Sequence, residues 1–116
     1  MAHQWDGFYA AYMTSTSGQG FGLFIFQNGT IVGADPMGVR FDGTFDEVLA
    51  DGLFGTLKVT VPPNGTVIQG ASSGPNGMSY DVDIAVEGGP TPDSVVRQET
   101  PLGPVNIKFE LLRKLA

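Results

Sequence analysis

The 116-residue chain contains no cysteine and a single histidine, His3. The first absence excludes thiolate nucleophiles, disulfide frameworks and cysteine-ligated zinc together. The second leaves any Ser-His-Asp arrangement or histidine metal cluster to be built on a chain terminus, a poor foundation for a rigid site. Positive charge is also scarce: twelve acidic residues stand against six basic ones, for a formal net charge of −6. Such a chain repels phosphate backbones, so direct nucleic-acid binding is not expected. Only Arg113 and Lys114 form a basic pair.

Long apolar runs are missing too. None approaches membrane-spanning length, and the opening "MAHQWDGFYAAYM" lacks the basic start and cleavage site of a secretory signal. The expectation is a soluble cytoplasmic protein with no membrane partner. Helical periodicity is absent apart from two short candidates, "FDEVLADG" at 45–52 and "TPDSVVRQE" at 91–99, each at most about two turns.

What the chain has is glycine, proline and aromatics: 17 Gly, 8 Pro, 8 Phe, 3 Tyr and 1 Trp. Disordered chains share the first two but lack the aromatics, so here Gly and Pro punctuate short strands. Alternation is strict in the second half. Leu57, Val59 and Val61 oppose Lys58 and Thr60; Tyr80, Val82, Ile84 and Val86 oppose Asp81, Asp83 and Glu87; Val105, Ile107, Phe109 and Leu111 oppose Asn106, Lys108 and Glu110. Asn28-Gly29, between "FIFQ" and "TIVG", is the type I′ hairpin signal, because both central positions of that turn need φ > 0.

Eight strands are expected, near 7–14, 20–27, 30–35, 38–46, 53–61, 65–70, 77–87 and 104–112. Eight sequential strands with mostly short connections suit an all-β, antiparallel up-and-down barrel in a single domain spanning 1–116, with a β-sandwich as the alternative. The Pro- and Gly-rich stretch 88–103 is expected to be a loop or lid.

The strand at 20–27 is apolar on both faces. Phe21, Leu23 and Ile25 point one way; Phe24 and Phe26, spaced by Gly20 and Gly22, point the other. One row must line the interior. The other, if left bare beside the neighbouring strand, makes a patch of a kind monomers avoid, and a homodimer with Phe24 and Phe26 at its interface is the expectation. A barrel filled by Phe8, Phe21, Phe41, Tyr80 and Phe109 leaves little room, whereas one floored by Ala10, Gly43 and Ala85 leaves a pocket for a small apolar ligand.

Chemistry-bearing constellations are few. "GQGFG" resembles a phosphate loop only loosely, since no lysine follows and a strand comes next. Asp81, Asp83 and Glu87 share one strand face but read as a solvated surface rather than a cation site. No catalytic set, metal or cofactor is expected, and the chain is read as a non-enzyme.

"WDGFYAAYM", "GFGLFIFQNGTIVGAD" and "VRFDGTF", in that order over roughly the first 45 residues, resemble the pattern of the GrlR-like family, small bacterial proteins named after a negative regulator of type III secretion. The matching elements are Asp6-Gly7-Phe8-Tyr9, the Gly-x-Gly strand leading into Asn28-Gly29, Gly33-x-Asp35, and Phe41 with Gly43. The resemblance implies a small lipocalin-like eight-stranded barrel, dimerisation, and capture of a protein partner such as a transcriptional activator through an acidic loop. In this chain the corresponding place holds Asp46, Glu47 and Asp51, without the uninterrupted acidic run. The expected function is a non-enzymatic bacterial regulatory or interaction protein; the alternative is a lipocalin-like binder of a small apolar molecule.

Overall fold

The computed structural model describes residues 5–48, 52–87, 90 and 95–115, which form eight strands and no helix. They are β1 (Gly7–Thr14), β2 (Gln19–Gln27), β3 (Thr30–Ala34), β4 (Arg40–Val48), β5 (Gly52–Val61), β6 (Met78–Glu87), β7 (Val95–Gln98) and β8 (Val105–Lys114). All pairings are antiparallel, in the order β6-β5-β4-β3-β2-β1-β8-β7, and the sheet curls into a nearly closed barrel. In neither short helix candidate are the described residues helical: residues 45–48 continue β4 and residues 95–98 are β7, while 49–51 and 91–94 lie outside the described residues. The expected strand at 65–70 is also corrected. Thr66 makes only an isolated bridge to Ser72, and the chain between them turns on itself, with Gly70 at φ +96°. The eighth strand is β7, inside the stretch expected to be a loop.

Local chemistry explains the regular parts. Asn28 and Gly29 adopt φ of 50° and 81°, as a type I′ turn requires, and thereby pair Gln27 with Thr30 and Phe26 with Ile31. β4 alternates cleanly, with Phe41 and Phe45 buried and Arg40, Asp42 and Asp46 exposed. Gly43 and Gly55 let β4 and β5 lie unusually close: a Cβ on Gly55 would collide with the Thr44 carbonyl oxygen, and one on Gly43 with that of Thr56.

Closure of the barrel uses a side chain. No backbone ladder joins β6 to β7 among the described residues; instead the buried Gln98 amide stands in for one. Its Nε2 donates to Asp83 O at 2.5 Å and to Glu99 O at 3.0 Å, and its Oε1 accepts from Ala85 N at 3.3 Å.

Phe24 and Phe26 belong to the interior, 7% and 2% exposed, so their expected place at a dimer interface is corrected. The faces of β2 are the reverse of that assignment: Phe21 and Leu23 stand outside, and the glycines share the inner row with the two buried rings. A shift of one residue exchanges every side chain between faces. Here both rows are apolar, so hydrophobicity alone cannot choose between them.

Candidate functional site

The two ends of the barrel differ. One end, carrying the Asn28-Gly29 turn and the described ends of β1 and β8, is a packed floor. Tyr9, Phe26, Phe45 and Phe109 meet there, with centroids 5.1 Å apart for Tyr9 and Phe26, 5.6 Å for Phe26 and Phe45, and 5.9 Å for Phe26 and Phe109. The floor is tied by polar contacts at its rim. Asp6, itself buried, accepts from Asn28 N at 3.2 Å through both carboxylate oxygens; Tyr9 Oη donates to Trp5 O at 2.8 Å; Trp5 N donates to Glu47 Oε1 at 2.9 Å. Burial, reinforced by the carboxylates of Asp6 and Glu47, pushes the Tyr9 phenol up to about 12.

At the other end the same interior opens into an apolar cavity of about 300 Å³. Phe24 and Phe41, their rings 4.8 Å apart, separate it from the floor. Val59, Val82, Val105 and Ile107 form walls, with Gly20 of β2 at the rim.

The mouth is roofed by the loop between β5 and β6. Within it Ser73, buried at 8% exposure, donates from Oγ to Pro62 O at 2.6 Å and accepts from Gly65 N at 2.8 Å, while Asn64 N donates to Gly74 O at 2.6 Å. These bonds fold the loop into a small hairpin whose tip, Val67 to Gln69, lies over the cavity. Ile68 rests on Gly20, where a Cβ would come within 2.8 Å of its Cγ2, and Ile68 O accepts from Ser15 Oγ. Gln69 Nε2 donates to Tyr80 Oη at 3.3 Å and to Thr100 Oγ1 at 3.1 Å. Burial raises the Tyr80 phenol, with the Gln69 hydrogen bond opposing that effect.

Charge is nearly absent from the lining. Among the described residues Asp35 is its one ionisable acid or base besides Tyr80, and its Oδ1 is committed to the turn between β3 and β4, accepting from Met37 N at 2.9 Å and Val39 N at 3.0 Å.

Of the expected acidic surface, two residues are described and they point to opposite faces of β4. Asp46 is exposed, whereas Glu47, the next residue of a strand, turns to the opposite face and holds Trp5 N; Asp51 lies outside the described residues, as does His3. Asp81 and Asp83 stand exposed on the outer face of β6, and among the described residues no group of three or more such side chains is placed to hold a metal ion. Two residues central to the cavity, Gln69 and Gln98, were not singled out from sequence; neither carries an apolar-pattern signal. A second apolar feature lies outside. Phe8, Ile25 and Val32 form one cross-strand row on β1, β2 and β3, and Ala10, Leu23 and Ala34 the next, while the Tyr12 and Phe21 rings pair at 5.4 Å. A shallow groove runs among these side chains. No family model, no curated protein and no solved structure matches the chain.

Proposed function

We propose that this chain is a non-enzymatic binding protein that carries or senses a small apolar molecule inside its barrel. The observation that supports the reading is the cavity: walled by strands, lined mostly by aliphatic and aromatic side chains with a few polar groups among them, and roofed by a loop held through a few hydrogen bonds. Its volume is room for roughly ten waters, and apolar walls hold water poorly. A neutral fluorescent probe, N-phenyl-1-naphthylamine, tests it. The expected result is enhanced emission saturating at one probe per chain, lost in Val82→Phe, which places a ring in the cavity while circular dichroism and the melting transition confirm the fold. No enhancement in the parent, or equal enhancement in a folded Val82→Phe, overturns the reading.

A second reading, a GrlR-like regulator that binds protein and forms a homodimer, is favoured by the apolar rows on the outer face of β1, β2 and β3. Contiguous apolar surface of this kind commonly marks an association site. On this reading the interface lies on the row of Phe21, Leu23 and Ile25, and Asp46 is the acidic residue available to a partner.

A further inference from the structure

Resting on the cavity reading, we infer that the ligand is a neutral amphiphile with a single hydroxyl or primary amide head, which the Gln69–Tyr80 pair at the cavity mouth recognises. The hydrogen bonds already made leave a complementary pair of groups unused. Thr100 Oγ1 donates its one proton to Gly103 O at 2.6 Å, so toward Gln69 it can only accept, which fixes the Gln69 amide with Nε2 turned to Thr100 and Tyr80. Tyr80 Oη accepts from Gln69 and donates to nothing among the described residues; Gln69 Oε1 accepts from nothing among them. One donor, the Tyr80 hydroxyl, and one acceptor, Gln69 Oε1, therefore lie on neighbouring side chains that both line the cavity. Burial favours the neutral phenol, so the donor persists at physiological pH.

A head that both accepts and donates matches this pair, and hydroxyl and carboxamide are the small neutral groups that do so. A carboxylate does not. Among the described residues no Lys, Arg or His lines the cavity, Asp35 adds negative charge nearby, and the chain as a whole carries a formal charge of −6. Burying an anion there would leave it without a counter-charge. Of the other two amides on the lining, Gln98 has its oxygen and nitrogen committed to Ala85, Asp83 and Glu99, and Gln19 is exposed at the start of β2, so the deeper walls meet the remainder of the ligand with apolar side chains.

The test uses four probes with one frame: butylbenzene, 4-phenylbutan-1-ol, 4-phenylbutanamide and 4-phenylbutanoate, measured by calorimetry at pH 7.5 on the parent, Tyr80→Phe and Gln69→Leu. The alcohol and amide are expected to bind the parent at least tenfold more tightly than the carboxylate. Each variant is expected to weaken alcohol and amide binding by fivefold or more while leaving butylbenzene unchanged, and the butylbenzene value also verifies that the variant's cavity is intact. Carboxylate binding equal to that of the amide, or variants that shift all four probes alike, overturns the head-group inference while the cavity reading stands. If butylbenzene itself fails to bind the parent, the cavity reading falls and this inference with it.

Discussion

Tyr9 sits where the floor's apolar rings meet its polar rim, and its hydroxyl makes the structure's pH sensitivity testable. The folded state holds the phenol up near 12 against an ordinary value of 10, because burial and two nearby carboxylates disfavour the phenolate. The fold therefore binds this proton more tightly than the unfolded chain does. Its contribution is whole below pH 10 and is lost as pH rises from 10 toward 12, with a slope of up to about 1.4 kcal/mol per pH unit. Denaturant unfolding at pH 9, 10 and 11 should show this decline, and Tyr9→Phe should flatten it. Tyr80, raised in the same direction, leaves a residual slope. At pH 8 the same substitution removes only the hydrogen bond to Trp5 O, a cost of about 1 kcal/mol. A variant declining as steeply as the parent would assign the alkaline instability to other groups.

At the scale of elements, the seam between β6 and β7 is the place where the barrel depends on one side chain. Gln98→Leu keeps the approximate bulk but removes the acceptor for Ala85 N and the donor for Asp83 O. Leaving these groups unpaired is expected to destabilise the fold by about 1–3 kcal/mol. Amide exchange at Ala85 should quicken markedly, while exchange along the β2–β3 hairpin changes no more than global stability requires. Unchanged protection at Ala85 would mean that the seam closes by other contacts.

This seam also marks where the fold stopped being legible in sequence. β4, β5, β6 and β8 could be read from alternation because one of their faces is polar. β7 could not, since its four residues bury a glutamine whose role is hydrogen bonding across a gap no local pattern encodes. β2 was legible as a strand but not in its orientation. The Asn28-Gly29 turn fixes Phe26 opposite Ile31, yet β3 is itself apolar at both Ile31 and Val32, so the ambiguity passes through the hairpin. It is resolved only at β4, where Ile31 pairs with Gly43 on the same face as the buried Phe41 and Phe45; the turn at 35–39 hides that register from a linear reading. A pocket was legible only as an alternative, expected over a floor of Ala10, Gly43 and Ala85, none of which lines the cavity; its polar head site was not legible, since Gln69, Tyr80 and Thr100 converge from three separate segments.

At the scale of the whole molecule, the outer apolar rows are what a second subunit would cover. Tyr12, Phe21, Leu23 and Val32 are 47%, 37%, 38% and 49% exposed in the single chain. If copies associate through this face, Leu23→Asp should convert dimer to monomer in sedimentation at tens of micromolar. The melting transition should hardly move once monomers are compared, because Leu23 lies outside the core and surface changes usually fall within about ±0.5 kcal/mol. A parent already monomeric at that concentration, or a Leu23→Asp dimer, would remove the outer face from consideration as an interface.

β1 and β8 lie side by side, with Gly7 opposite Lys114 and Thr14 opposite Asn106. Every other hydrogen-bonded pair joins strands consecutive in the chain, and can form as soon as its own connection closes. The β1–β8 ladder must instead close a loop of roughly a hundred residues, an entropic handicap of about 3–4 kcal/mol relative to a two-residue turn when the cost grows as the logarithm of length. The meeting of β1 and β8 is therefore the step expected to limit the rate of folding. Until they meet, β1 and β8 each present an unpaired edge to any other chain in solution, so crowding at that moment, more than weakness of the finished barrel, is the hazard built into this topology.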